Sequence, residues 1–161
     1  MPLDFTIKLG DIYEFWGRGL VLNQFDDQVT NFDNGTRGLF LGYAKGPLTI
    51  SHINGNTDIW ELGNDLRVPR YKHIHNMYAN QVLYELSTLS LGLTNLHSNE
   101  THQKIFGESF VQHKLNGIYA SWTGINADLF MEYVDKKATE KVNIVENVPH
   151  DSLKNGYGLY C

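Results

Sequence analysis

The stretch from Leu39 to Val68, LFLGYAKGPLTISHINGNTDIWELGNDLRV, constrains the fold most. At its centre stands Asn54-Gly55, one of four Asn-Gly dipeptides in the chain. Asn and Gly accept positive φ at little cost, so the pair predicts a hairpin turn inside a β-meander. Register follows from asking which loop keeps apolar residues on one face. A two-residue loop mixes the faces. A three-residue loop, Asn54-Gly55-Asn56, pairs Ile50 with Trp60 and Leu48 with Leu62 and gathers all four on one side.

The flanking sequence reads in the same way. Leu3, Phe5, Ile7 and Leu9 alternate, which predicts a first strand, and Gly10-Asp11 a turn. Gly17 and Gly19 around Arg18 suggest a bulge or tight corner. Asn34-Gly35 marks a second turn, and Lys45-Gly46-Pro47 breaks the chain before the central hairpin. Residues 1–68 thus predict an antiparallel meander closing into a small barrel or sandwich.

Beyond Pro69 the period changes. Ile74, Tyr78, Val82, Leu86, Leu89 and Leu93 recur every three or four residues, which predicts a helix over about 73–93 with Gly92 near its stop. Asn116-Gly117 predicts a hairpin over 109–122, with Leu115 opposite Ile118 and Val111 opposite Trp122. Phe130, Val134 and Ala138, after Asn126 as a cap, predict a second helix over about 127–141. The fold class expected is α+β and β-rich, in one domain spanning 1–161.

Charge bounds the function. The formal net charge is −5 and charged residues make up 19%, so nothing points to wholesale phosphate binding. The single cysteine, Cys161, excludes an internal disulfide. The first residues lack the charged and apolar regions of a signal peptide, and no apolar run reaches the ~20 residues of a membrane helix. Cytoplasmic synthesis without secretion is the expectation, with no cofactor.

Candidate chemistry is sparse. Arg67, Arg70 and Lys72 form a small basic patch before the first expected helix, suited to an anion or an interface rim. His73 and His75, with His97 and His102 downstream, are the metal alternative. On a strand the first two share a face; on a helix they lie about 200° apart and cannot chelate together. No Gly-x-Ser-x-Gly, His-Glu-x-x-His or phosphate loop is present. Aromatics reach 12%, as in a β core or a protein–protein surface. A β-rich, Asn- and Gly-heavy chain without catalytic signatures suggests a non-enzymatic structural protein. It would act through protein contacts in an oligomer or larger assembly, such as a virion component of a tailed bacteriophage. The alternatives are a His- and carboxylate-dependent hydrolase or nuclease, and a small inhibitor of a host enzyme.

Overall fold

The structure, a computed structural model, describes residues 4–27, 29, 32–60, 72–104, 107–142 and 150–161. It is all-β among these residues. One antiparallel sheet is built from β1 (Asp4–Ile12), β6 (Thr36–Lys45), β7 (Leu48–Trp60), β8 (Lys72–Glu85), β9 (Leu89–Lys104), β10 (Gly107–Thr123), β11 (Asp128–Val142) and β12 (His150–Tyr160), lying side by side in that order. Between β1 and β6 the chain leaves the sheet and forms two small hairpins, β2 (Phe15–Trp16) with β3 (Leu22–Asn23), and β4 (Asp26–Asp27) with β5 (Phe32–Asp33).

Both expected helices are overturned. The segment given to the first forms most of β8 and the start of β9; the second is β11. The reason lies in the spacing. Ile74, Tyr78 and Val82 are four apart, and a spacing of four places residues on one side of a strand as well as of a helix. The three-residue step that would single out a helix, Leu86 to Leu89, falls on the turn between β8 and β9, where the Leu86 N–H donates to the Leu89 carbonyl at 2.7 Å. Phe130, Val134 and Ala138 likewise share one face of β11.

The small barrel or sandwich expected over 1–68 is overturned, since β1, β6 and β7 lie side by side in the one eight-stranded sheet, and so are the hairpins expected at 54–56 and 116–117. β7 and β10 run straight through both Asn-Gly pairs. Ile50 pairs with Tyr43 and Val82, not with Trp60. In β7, β10 and β12 the Asn of each pair lies on one face of the sheet and the Gly on the other. Positive φ is found instead at Gly10, Gly17, Gly19 and Gly46. Gly46, at φ 61°, turns β6 into β7, at the break expected from Lys45-Gly46-Pro47. The first strand is where alternation placed it, although Gly10 at φ 115° lies within β1 rather than ending it.

The glycines of the Asn-Gly pairs in β7 and β10 make room for neighbours, whereas Gly156 in β12 has open space beside it. A Cβ on Gly117 would meet Val21 Cγ2 at 2.7 Å, and one on Gly55 would meet Thr36 Cγ2 at 2.7 Å. Val21 belongs to the excursion between β1 and β6, which crosses one face of the sheet as a strap. Trp16, Val21 and Leu22 of the strap pack with Ile12, Phe40, Ile53, Met77, Ala79, Leu96 and Val134 of the sheet to form the core. Phe40, Ile53, Ala79, Leu96 and Leu115 are successive neighbours across five strands, a row lying under the strap.

Two polar anchors hold the strap. At its tip the Gly17-Arg18-Gly19 corner presents the Arg18 N–H to Glu132 Oε2 at 2.7 Å, and the Arg18 guanidinium lies 5.1 Å from the centre of the Phe130 ring. Glu132 is only 1% exposed, and Gly17 lies against its carboxylate. At its return, Gln24 Nε2 donates to the buried Thr36 hydroxyl, which lies 3.2 Å from the Thr57 hydroxyl. A buried polar group is costly unless it is hydrogen-bonded, so these contacts fix where the strap lies.

Candidate functional site

The strap covers one face of the sheet, and none of the described segments covers the other. Alternation along each strand decides what that second face carries. Phe5, Tyr43, Ile50, Val82, Leu93, Ile118, Tyr133 and Leu159 are successive cross-strand neighbours, one from each of the eight strands. They form an unbroken apolar row from edge to edge, with Phe5 58%, Leu93 57% and Ile118 53% exposed. A second row, Leu48, Tyr84, Leu91, Ala120 and Met131, lies beside it, and a third holds Leu89, Trp122 and Leu129.

On the other side of the first row runs a polar one: His52, Asn80, Asn95, Asn116 and Asp135, with Ile7 and Leu41 at its β1 end. Its members bond one another. His52 Nδ1 lies 2.8 Å from Asn80 Oδ1, and Asn95 Nδ2 donates to Asn116 Oδ1 at 2.7 Å. One row further, His97 stacks on Tyr78 with ring centres 5.0 Å apart. Partial burial, then the nearby Lys114 charge, lowers the His97 pKa. Rows of this length make a surface of a kind monomers rarely leave open.

The covered face carries a second constellation, beyond the end of the strap. His73 and His75 share this face of β8, as the strand alternative required. Between them and β10 stands Glu100 on β9. Its Oε1 is 3.0 Å from His73 Nδ1 and 3.4 Å from His75 Nε2, and its Oε2 is 2.9 Å from His113 Nε2. Ser98 Oγ lies 3.4 Å from His75 Nδ1. Cavities of about 420 and 410 Å³ open on either side, both bordered by Glu100, His113 and Lys136.

Of the histidines singled out in the sequence, His73 and His75 come together. His97 lies on the opposite face, and the side chain of His102, which is opposite His73 in register, lies outside the described residues. No group of three or more His, Cys, Asp or Glu among the described residues is arranged to hold a metal ion. Arg67 and Arg70 fall outside the described residues; Lys72 opens β8, and its side chain is likewise not described. Glu100, Ser98 and His113 were not candidates in the sequence, because a cross-strand cluster becomes visible only once β8, β9 and β10 are in register. The Leu89-x-Leu91-x-Leu93 alternation was the available signal.

Burial acts most strongly on Tyr119, on β10 under the strap end. Its pKa is pushed up to about 12, mainly by desolvation and then by the charges of Glu85 and Glu132. Gln81 Nε2 donates to its hydroxyl at 2.9 Å, and its ring lies against Gly92, where a Cβ would overlap it. The residue expected to stop a helix is thus a seat for an aromatic ring in mid-strand.

In comparisons with known proteins, the chain matches no family model, no curated protein and no solved structure.

Proposed function

We propose that the chain is a non-enzymatic assembly protein and that the uncovered face of its sheet is the contact surface. One observation carries this reading: the apolar row that crosses all eight strands, from Phe5 to Leu159, with two further apolar rows beside it. A β-sheet needs cover on an apolar face, and here the chain's own strap lies on the opposite side. The finer expectation, a particle component such as that of a tailed bacteriophage, rests on composition. The experiment compares the wild-type chain with a Leu93→Glu/Ile118→Glu variant by light scattering and by fluorescence of an apolar dye. The wild type should either associate or bind the dye, and the variant should lose that behaviour. A wild-type monomer that binds no dye would contradict the reading.

A second reading, a His- and carboxylate-dependent hydrolase, is favoured by the Glu100–His75–Ser98 series beside a cavity. Its two links, each 3.4 Å, are longer than the ~2.6–3.2 Å of a working nucleophile–base pair. Turnover of simple esters or phosphodiesters that is lost in Ser98→Ala and Glu100→Gln would support it. A wild type inert toward both would remove it.

A further inference from the structure

We infer that the occupant of the uncovered face is a second copy of this chain, packed sheet against sheet about a twofold axis. The inference rests on the contact-surface reading above and names its partner.

Charge comes first. The sixteen residues of the three apolar rows include no Asp, Glu, Lys or Arg; Lys45 stands beside Leu48 at the β6 end of the second row, and Arg37, Asp58, Lys114 and Asp135 of this face stand outside the rows. A partner that matches this surface must itself be broad, apolar and uncharged. The chain carries such a surface, and a twofold interface uses the same patch on both copies. Two sheets meeting in this way make a sandwich about 10 Å thick with interdigitating side chains.

Size points the same way. The rows hold eight, five and three residues, and each residue occupies about 4.8 Å across the sheet by about 6.8 Å along its strand, a footprint of about 520 Å². The seven residues of the polar row, from Ile7 to Asp135, raise it to about 750 Å², close to the ~800 Å² per partner of a standard interface. A bilayer fits less well. An apolar band at most about 14 Å tall, and that only over β9 to β11, is short of the ~25 Å that a membrane barrel presents, and the Asn row borders it directly.

With eight strands, the middle of the apolar row falls between β8 and β9, where Val82 pairs with Leu93. The axis therefore passes near Leu93, and each copy's Leu93 faces its mate.

Sedimentation of the full chain tests this, with Leu93→Glu and Ile118→Glu as variants and far-UV circular dichroism as the check on folding. The wild type should be a dimer. Each variant should keep its spectrum and lose at least about 100-fold in association constant. With Cys161→Ser removing the natural thiol, Leu93→Cys should cross-link to its mate through a short bismaleimide. That cross-link decides the matter if the glutamate variants lose their fold. A dimer that persists in both folded variants, or a Leu93→Cys dimer that does not cross-link, overturns the inference. So does a wild type still monomeric at about 100 µM, a concentration at which an interface of this size is populated. In that last case, dye binding abolished by Leu93→Glu would leave the contact-surface reading standing with another protein as partner. Binding to neutral phosphatidylcholine vesicles would give the face to lipid and overturn both.

Discussion

The two faces of this sheet are made from the same strands and differ in what they meet. Ile53 and Ile50 show it within three residues of β7. Ile53 points under the strap and is 0% exposed; Ile50 points the other way and is 41% exposed. On the covered face glycines make room for close neighbours: Gly117 for Val21 of the strap, Gly92 for the Tyr119 ring and Gly55 for Thr36. On the other, Asn and apolar side chains stand in rows with only one another for neighbours. Apolar content alone therefore does not identify a core. What identifies it is a second layer within reach, and the described residues supply one layer for two faces.

The comparison can be broken most directly by truncating both isoleucines. Ile53→Ala should cost about 3 kcal/mol of unfolding free energy, as removal of a fully buried aliphatic side chain does. Urea denaturation at low protein concentration reads it. A loss under about 1 kcal/mol would mean that the strap does not bury this face. Next in size is Gly17→Ala. Its φ of 63° and its contact with the Glu132 carboxylate make any side chain a strain, of about 1–3 kcal/mol. Faster hydrogen exchange should appear where the strap meets the sheet and leave β6 to β9 protected.

Tyr119 gives a pH signature to the covered face. Its folded pKa lies near 12, above the ordinary value of about 10, so the unfolded chain loses this proton first. Stability from this group is complete below about pH 10 and declines as pH rises toward 12. Tyr119→Phe should flatten that decline in thermal melts. Unchanged alkaline behaviour would place the ring in water. His97 gives the opposite signature on the uncovered face. Its folded pKa is lowered, so its contribution is present above about pH 6.5 and shrinks as pH falls below that value. His97→Gln should lessen the acid-side decline by a small amount. Smallest of all is the effect of Ile50→Ala on the monomer, about 0.5 kcal/mol, since cross-strand contact is most of what it loses.

The first strand, the strap corner at Gly17–Gly19 and the turn at Gly46 were legible in the sequence because each depends on local chemistry. The rest was hidden by two coincidences. Ile74, Tyr78 and Val82 fit a helix and a strand equally, and only the alternation of Leu89, Leu91 and Leu93 told against the helix. Asn-Gly reads as a turn wherever it occurs. At 54–55, 116–117 and 155–156 the glycine is instead part of the covered face of a strand and the asparagine part of the open one. Neither reason can be found in a window of ten residues, because both depend on a strand brought alongside or a strap laid across. The Glu100 cluster was hidden for the same reason: His73 and His75 lie 27 and 25 residues before Glu100 along the chain and His113 lies 13 after it, on separate strands.

The most direct test of the account is the concentration dependence of thermal unfolding for the wild type and Leu93→Glu. If the uncovered face is closed by a second copy, wild-type Tm rises with protein concentration, as linkage requires, and Tm of the variant does not. A wild-type Tm that stays constant over a hundredfold range of concentration (about 1–100 µM), with the variant equal to it, would contradict the account.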